Sequence, residues 1–190
     1  MSASGEAEPE LLISAEALAR RVRELGAEIT RDYVQRDLVV VIVLTGSFVF
    51  AADLLRAITG PLSVDFLGVE SYGDALESSG VVRITADLAR SIEGKDVLLV
   101  EDIVDSGLTL GFLIETLRAR GPRSLRVAVL LQKLASASAF TPDYVGFSFR
   151  DGFVVGYGLD CAQKWRNLPY VAVLPGTRGD TPVATEPRNG

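Results

Sequence analysis

The sequence contains no histidine. That removes the commonest general base and zinc ligand near neutral pH and leaves aspartate, glutamate, lysine and tyrosine for any chemistry. Its one cysteine, Cys161, has no partner for an intrachain disulfide. No run of five basic residues occurs, the net charge is −6 and the pI is about 4.8, which disfavours a nucleic-acid or anionic-membrane surface. There is no cationic segment with an apolar core at the start, no transmembrane run, no heptad and no internal repeat. The chain therefore reads as cytoplasmic.

What is present is a 190-residue chain with 48% hydrophobic residues and a mean hydropathy of +0.27. A chain of that length buries roughly 70% of its unfolded surface in one domain without metal or disulfide support. Residues 1–10 are small, polar and acidic and read as a disordered tail. Residues 175–190 hold three prolines and three glycines and read as a loose one. The domain expected between them spans 11–174.

The most informative stretch is 97–109. Val97 to Val100 form a short, unbroken apolar run, the mark of a strand buried on both faces. Glu101 and Asp102 follow at its carboxyl end, then Asp105 and the small polar loop Ser106-Gly107-Leu108-Thr109. Leu110, Leu113, Ile114 and Leu117 make one helix face, with Arg118, Arg120 and Gly121 as its stop. In an open parallel sheet, ligands bind outside the carboxyl ends of strands, and a helix N-terminus offers unpaired N–H groups. Backbone donors from Asp105 to Thr109, with the Ser106 and Thr109 hydroxyls, suit a phosphate. The preceding carboxylates accept only, so they suit either a ribose diol or magnesium through water. Acids at a strand end are also common as solvated loop residues.

Similar units flank this one. Ser14 is placed to N-cap a helix with the stripe Leu18, Val22, Leu25, Ile29 and Tyr33. Leu38–Leu44 is a second two-face-buried strand, followed by the loop Thr45-Gly46-Ser47 and a helix ending at Gly60-Pro61. Residues 62–71 and 81–84 read as strands joined by a polar, glycine-flanked loop. Further strands are expected over 125–131, 144–149, 153–158 and 170–174, with a short helix from Leu159-Asp160 through Trp165-Arg166.

The segment Val-Glu-Asp-Ile-Val-Asp-Ser-Gly-Leu-Thr resembles the phosphoribosyl pyrophosphate (PRPP) signature of type I phosphoribosyltransferases; its spacing matches neither a Walker loop nor a dinucleotide fingerprint. Downstream, Tyr-Val-Gly-Phe and Phe-Val-Val-Gly-Tyr-Gly-Leu-Asp are similar to the hypoxanthine-guanine phosphoribosyltransferases, and the likeness runs from about residue 12 to 174. It implies an α/β fold: a twisted parallel sheet flanked by helices, with a small hood and a flexible hairpin loop.

The resemblance also implies roles. Glu101, Asp102, Asp105, Ser106, Gly107, Leu108 and Thr109 would hold the ribose and 5-phosphate. Thr45, Gly46 and Arg166 would meet pyrophosphate, and Ser71 and Tyr72 in the mobile loop would close over it. Lys133 would donate to a purine 6-oxo group, Phe153 would stack on the ring, Val154 would meet the base through its backbone, and Asp160, with Glu101 and Asp102, would bind magnesium. Asp105 is the expected acid/base. A cis Leu44-Thr45 peptide and a homodimer or homotetramer are implied too. Taken alone, Lys133 reads as a snorkelling lysine, Phe153 as core and Asp160 as an N-cap. Departures are Thr45, where relatives commonly carry lysine, Leu134 for a frequent proline, and Cys161 for tyrosine.

The implied reaction moves ribose 5-phosphate from PRPP to N9 of hypoxanthine or guanine. Two rivals remain: a PRPP-sensing regulator on the same fold, which needs a basic face or an added helix-turn-helix, and the same chemistry on xanthine or a pyrimidine.

Overall fold

Unbroken apolar runs and helical stripes become an α/β architecture in the computed structural model, which describes residues 8–72, 81–134, 140–176 and 185. In chain order the elements are β1 (Glu10–Ile13), α1 (Ala15–Asp32), β2 (Leu38–Leu44), α2 (Phe48–Ala57), β3 (Leu62–Tyr72), β4 (Val81–Ala86), β5 (Asp96–Val104), α3 (Leu108–Arg118), β6 (Ser124–Lys133), β7 (Tyr144–Phe149), β8 (Val154–Val155) and β9 (Val171–Val173).

Six strands form one sheet in the order β4-β3-β2-β5-β6-β7, and only β4 runs antiparallel to its neighbour. Its centre is β2 and β5, whose apolar runs are buried on both faces as their lack of alternation predicts. Cores lie on either side. One packs α1 and α2 against the sheet through Leu18, Leu25, Ile29 and Leu54, and the other packs α3 through Leu113 and Leu117. Ser14 caps α1 as expected, its hydroxyl accepting from Ala17 N at 3.2 Å.

After β2 the chain steps to β3 on one side, then returns as β5 on the other. A crevice must open at that reversal, outside the strands' carboxyl ends. Because Ile42 pairs with Val100, the loop after β2 and the acids of β5 share that crevice. The Leu44-Thr45 peptide at its edge is cis, as expected.

The structure corrects several boundaries. β5 runs on to Val104, so Glu101 and Asp102 sit inside the strand rather than past its end, held by the pairings Glu101↔Val129 and Ile103↔Leu131. β1 begins at Glu10, within the stretch read as a tail, and joins a separate hood sheet in the order β1-β9-β8. The strand expected over 153–158 is only Val154–Val155, because Gly156, Tyr157 and Gly158 have φ of 93°, 52° and 102°, outside any extended conformation. Among the described residues no helix follows Asp160. Ala162, Gln163 and Trp165 also have positive φ, and the bridges Gly156↔Leu159 and Cys161↔Lys164 fold the segment into tight turns.

The loop after Tyr72 lies outside the described residues from 73 to 80; its stems pair as Tyr72↔Val81. Of the tail expected to be loose, Pro175, Gly176 and Thr185 are described, and Thr185 exchanges two 2.8 Å backbone hydrogen bonds with Ser148 on the edge strand β7. Among the described residues no helix is long and apolar enough to cross a membrane.

Candidate active site

The crevice at the switch point holds a cavity of about 550 Å³ lined by Val43, Leu44, Val69 and the continuous run Glu101 to Leu110. The phosphate-loop residues expected from the sequence are thus brought together on one wall. Gly107 carries φ 78° at the N-cap of α3, a conformation that glycine adopts without penalty, and it lets the loop turn into the helix. Leu108 N contacts Ser106 Oγ at 3.5 Å. The first residues of α3, whose N–H groups lack partners within the helix, therefore line the cavity together with small side chains.

Glu101 and Asp102 are the electrostatic centre. Burial, and then the neighbouring Asp102 charge, push the Glu101 carboxyl well above the usual carboxylate range. Burial also raises Asp102, against the downward pull of its contacts with Glu101 and the Ile103 N–H and of the Arg166 charge. Glu101 Oε2 is buried without a hydrogen-bond partner among the described residues. Such an orphan oxygen beside a second carboxylate fits a ligand that brings donors or positive charge, either a vicinal diol or a hard divalent cation. The donor set is all oxygen, which suits magnesium. Asp160 does not join it: among the described residues no three carboxylates form a cluster able to hold a metal. Asp160 instead receives Arg166 at 2.8 Å and the Gln163 N–H at 2.7 Å, so it caps a turn rather than a helix.

The loop after β2 presses on the same centre. A Cβ on Gly46 would overlap the Asp102 carboxylate, and one on Gly158 would overlap the Gly46 carbonyl. Thr45 is exposed, while Ser47 is buried and donates to the Val43 carbonyl. Arg166, expected at pyrophosphate, donates to the Gly158 carbonyl at 2.8 Å and lines a different cavity with Phe48, Asp53 and Tyr157. Its link to the Glu101–Asp102 pair is the downward pull of its charge on Asp102.

Lys133, the last residue of β6, does not line the phosphate cavity but meets its rim: Nζ lies 3.4 Å from Asp105 Oδ2 and 3.0 Å from Asp151 Oδ1. Burial works to lower the Lys133 pKa, but the hydrogen bond to Asp151 and the charges of both acids outweigh it, and the net direction is upward. Phe153 and Val154 follow one turn later, where Phe153 O accepts from Leu174 N at 2.9 Å and Val154 is buried. Ser71 and Tyr72 close β3 beside Val69. Asp151 was legible only as a turn residue. The signal that finds it is the parallel register Lys133↔Phe149, which sets the turn after β7 beside the end of β6.

The phosphoribosyl transferase domain model matches residues 12–162. A hypoxanthine-guanine phosphoribosyltransferase of Bacillus subtilis is 47% identical over 165 residues, covering 86% of this chain and 92% of its own. One from Dictyostelium discoideum is 49% identical over 170 residues, covering 87% and 94%. The crystal structure of a hypoxanthine phosphoribosyltransferase from Staphylococcus aureus superposes with a TM-score of 0.83 at 44% identity, covering 87% of this chain and 90% of that one. With the domain model matched over residues 12–162 and 47–49% identity across most of the length of these relatives, the chain belongs to the phosphoribosyltransferase family, among the hypoxanthine-guanine phosphoribosyltransferases.

Proposed function

We propose that this chain transfers the 5-phosphoribosyl group of PRPP to N9 of hypoxanthine or guanine, giving IMP or GMP and pyrophosphate, and so serves purine salvage. The observation that carries this reading is that the phosphate loop and the base-side lysine meet at one point, Asp105 Oδ2 standing 3.4 Å from Lys133 Nζ. A phosphate seated on the N–H groups of Ser106 to Thr109 and a 6-oxo group facing Lys133 are then spanned by one nucleotide.

Cleavage at the anomeric carbon develops oxocarbenium-like charge, so the site must stabilise departing pyrophosphate and manage the base's proton. Glu101 and Asp102 accept from the ribose hydroxyls and orient the ring. Asp105 hydrogen-bonds N7 and exchanges its proton as acid/base. Lys133 donates to the 6-oxo group, Phe153 stacks on the purine and Val154 meets it through the backbone. Thr45, Gly46 and Arg166 receive pyrophosphate, and Ser71 and Tyr72 close over it. Magnesium, which keeps waters and commonly binds one or two carboxylates plus substrate phosphates, supplies charge neutralisation when bound. Glu101 and Asp102 would hold it, with Asp160, which also receives Arg166, as the further carboxylate of the reading.

The protein is read as a cytoplasmic homodimer or homotetramer working on small molecules, with no nucleic-acid or membrane partner. Light scattering at micromolar concentration is expected to exceed the 20.3 kDa of one chain. Steady-state turnover with PRPP against a panel of purine and pyrimidine bases tests the reaction itself. Hypoxanthine or guanine should lead, and a pyrimidine or adenine in first place would overturn the assignment.

A further inference from the structure

Lys133 is shared between two carboxylates, and the nearer one belongs to neither the phosphate loop nor the acid pair. Asp151 Oδ1 stands 3.0 Å from Lys133 Nζ, against 3.4 Å for Asp105 Oδ2. Asp151 is tied to its own turn. Asp151 Oδ1 also accepts the Gly152 N–H at 2.7 Å, which fastens the carboxylate to its own turn. That turn is braced, since Gly152 has φ 116° and a Cβ there would sit 3.1 Å from Val173 Cγ1 of the hood. The Asp105 side chain is 54% exposed, whereas Lys133 is only 19% exposed.

An ammonium has three donors and no acceptor. With one N–H directed at Asp151 and one at Asp105, the third remains for a carbonyl oxygen. Without Asp151, the charge facing Lys133 from Asp105 is unopposed, and the long 3.4 Å contact the two already make would tighten into a short ion pair. Such a pair would occupy both groups that the proposed reaction needs apart, one for the 6-oxo oxygen and the other for N7.

We propose that Asp151 is a positioning residue for base recognition: it anchors Lys133 from the hood side at 3.0 Å, keeping the contact with Asp105 at 3.4 Å and the ammonium aimed at the purine 6-oxo group. This rests on the reading of the chain as a 6-oxopurine phosphoribosyltransferase and adds the residue that sets its lysine.

The test is steady-state kinetics of Asp151→Asn and Asp151→Glu, with hypoxanthine and PRPP varied separately. Asp151→Asn keeps an acceptor for Gly152 but loses the charge. It should raise KM for hypoxanthine about tenfold, the scale of one misplaced charge-assisted hydrogen bond, and leave KM for PRPP within about twofold. Asp151→Glu restores the charge and should recover most of the loss. Should the asparagine variant not fold, Asp151→Ser, which leaves a hydroxyl for the Gly152 N–H, carries the same expectation. An unchanged KM for hypoxanthine, or equal rises in both KM values, overturns the inference. Wild-type protein that turns over no 6-oxopurine overturns the underlying reading instead, so the two failures are distinct.

Discussion

Gly46 and Asp102 interlock: the loop after β2 lies so close to the acid of β5 that any side chain at Gly46 would displace the Asp102 carboxylate. The two come from different strand-loop-helix units, and only the parallel pairing of β2 with β5 joins them. Behind them stands Gly158, with φ 102° and its missing Cβ directed at the Gly46 carbonyl. Gly46→Ala meets a side-chain oxygen that can move, whereas Gly158→Ala meets backbone and an unfavourable φ. Gly46→Ala should therefore keep its fold while kcat/KM for PRPP falls at least about tenfold, and Gly158→Ala should also lose about 1–3 kcal/mol of stability. Thermal melts alongside kinetics check the split; a Gly46→Ala protein with wild-type kcat/KM would show that Asp102 need not stay where it is.

Asp105 sits between the phosphate loop and Lys133, within reach of both ends of the proposed nucleotide. Its replacement by asparagine keeps size and polarity but removes the proton-accepting charge. Asp105→Asn should keep PRPP affinity and lower kcat by about 10- to 1000-fold, since general acid–base groups typically contribute ~10²–10⁴. Equal turnover in the two proteins would remove Asp105 from the chemistry.

Lys133 offers donors only, so it satisfies a 6-oxo group and meets another donor in adenine's 6-amino group. Sites built round such a bond can reject the wrong partner by about 10⁴-fold. Adenine should be a very poor substrate beside hypoxanthine, and Lys133→Gln should lose hypoxanthine turnover while narrowing the gap. A wild-type gap within about tenfold, or ~1.4 kcal/mol, contradicts the role given to Lys133.

At the opposite end of β5, Asp96 is fully buried and accepts from Arg123 and from Ser124 Oγ at 2.6 Å. The Arg123 hydrogen bond, opposed by burial and aided by Ser124, holds its carboxyl below the ordinary value of 3.8. A carboxyl depressed in the folded state adds stability that is complete above its unfolded value and is lost as pH falls through the folded one. Asp96→Asn should therefore cost about 1–3 kcal/mol near pH 7, the scale of a buried charged hydrogen-bond partner removed. The difference from wild type should shrink as pH drops below 3.8. Urea unfolding at pH 7 and pH 3 measures both, and a gap independent of pH would show that the charge is not what Asp96 contributes.

The inner strands, the helical stripes and the phosphate loop could be read from the sequence because each is a local pattern. An apolar run without alternation must be buried on both faces, and a small polar loop before a helix must expose N–H groups, whatever the rest of the chain does. Local patterns misled where the backbone departs from them. Residues 153–166 carry branched and aromatic residues suited to a strand and then a short helix. Positive φ at Gly156, Tyr157, Gly158, Ala162, Gln163 and Trp165 turns them into a chain of bends instead. Propensity is weak beside the tertiary contacts of such a segment, here the backbone bonds Tyr157 N to Leu168 O and Gly158 N to Arg166 O.

The relations between sites were decided by tertiary structure alone. Lys133 between Asp105 and Asp151, Gly46 against Asp102, and Arg166 turned toward Asp160 and Gly158 each join residues far apart in the chain or across a tight turn. Their meeting depends on sheet order and register: a one-residue slip of β7 on β6 would carry Asp151 away from Lys133 and put every side chain of that strand on the wrong face. Register is set by the burial of whole faces at once, a property of the packed sheet that no single stretch of residues contains.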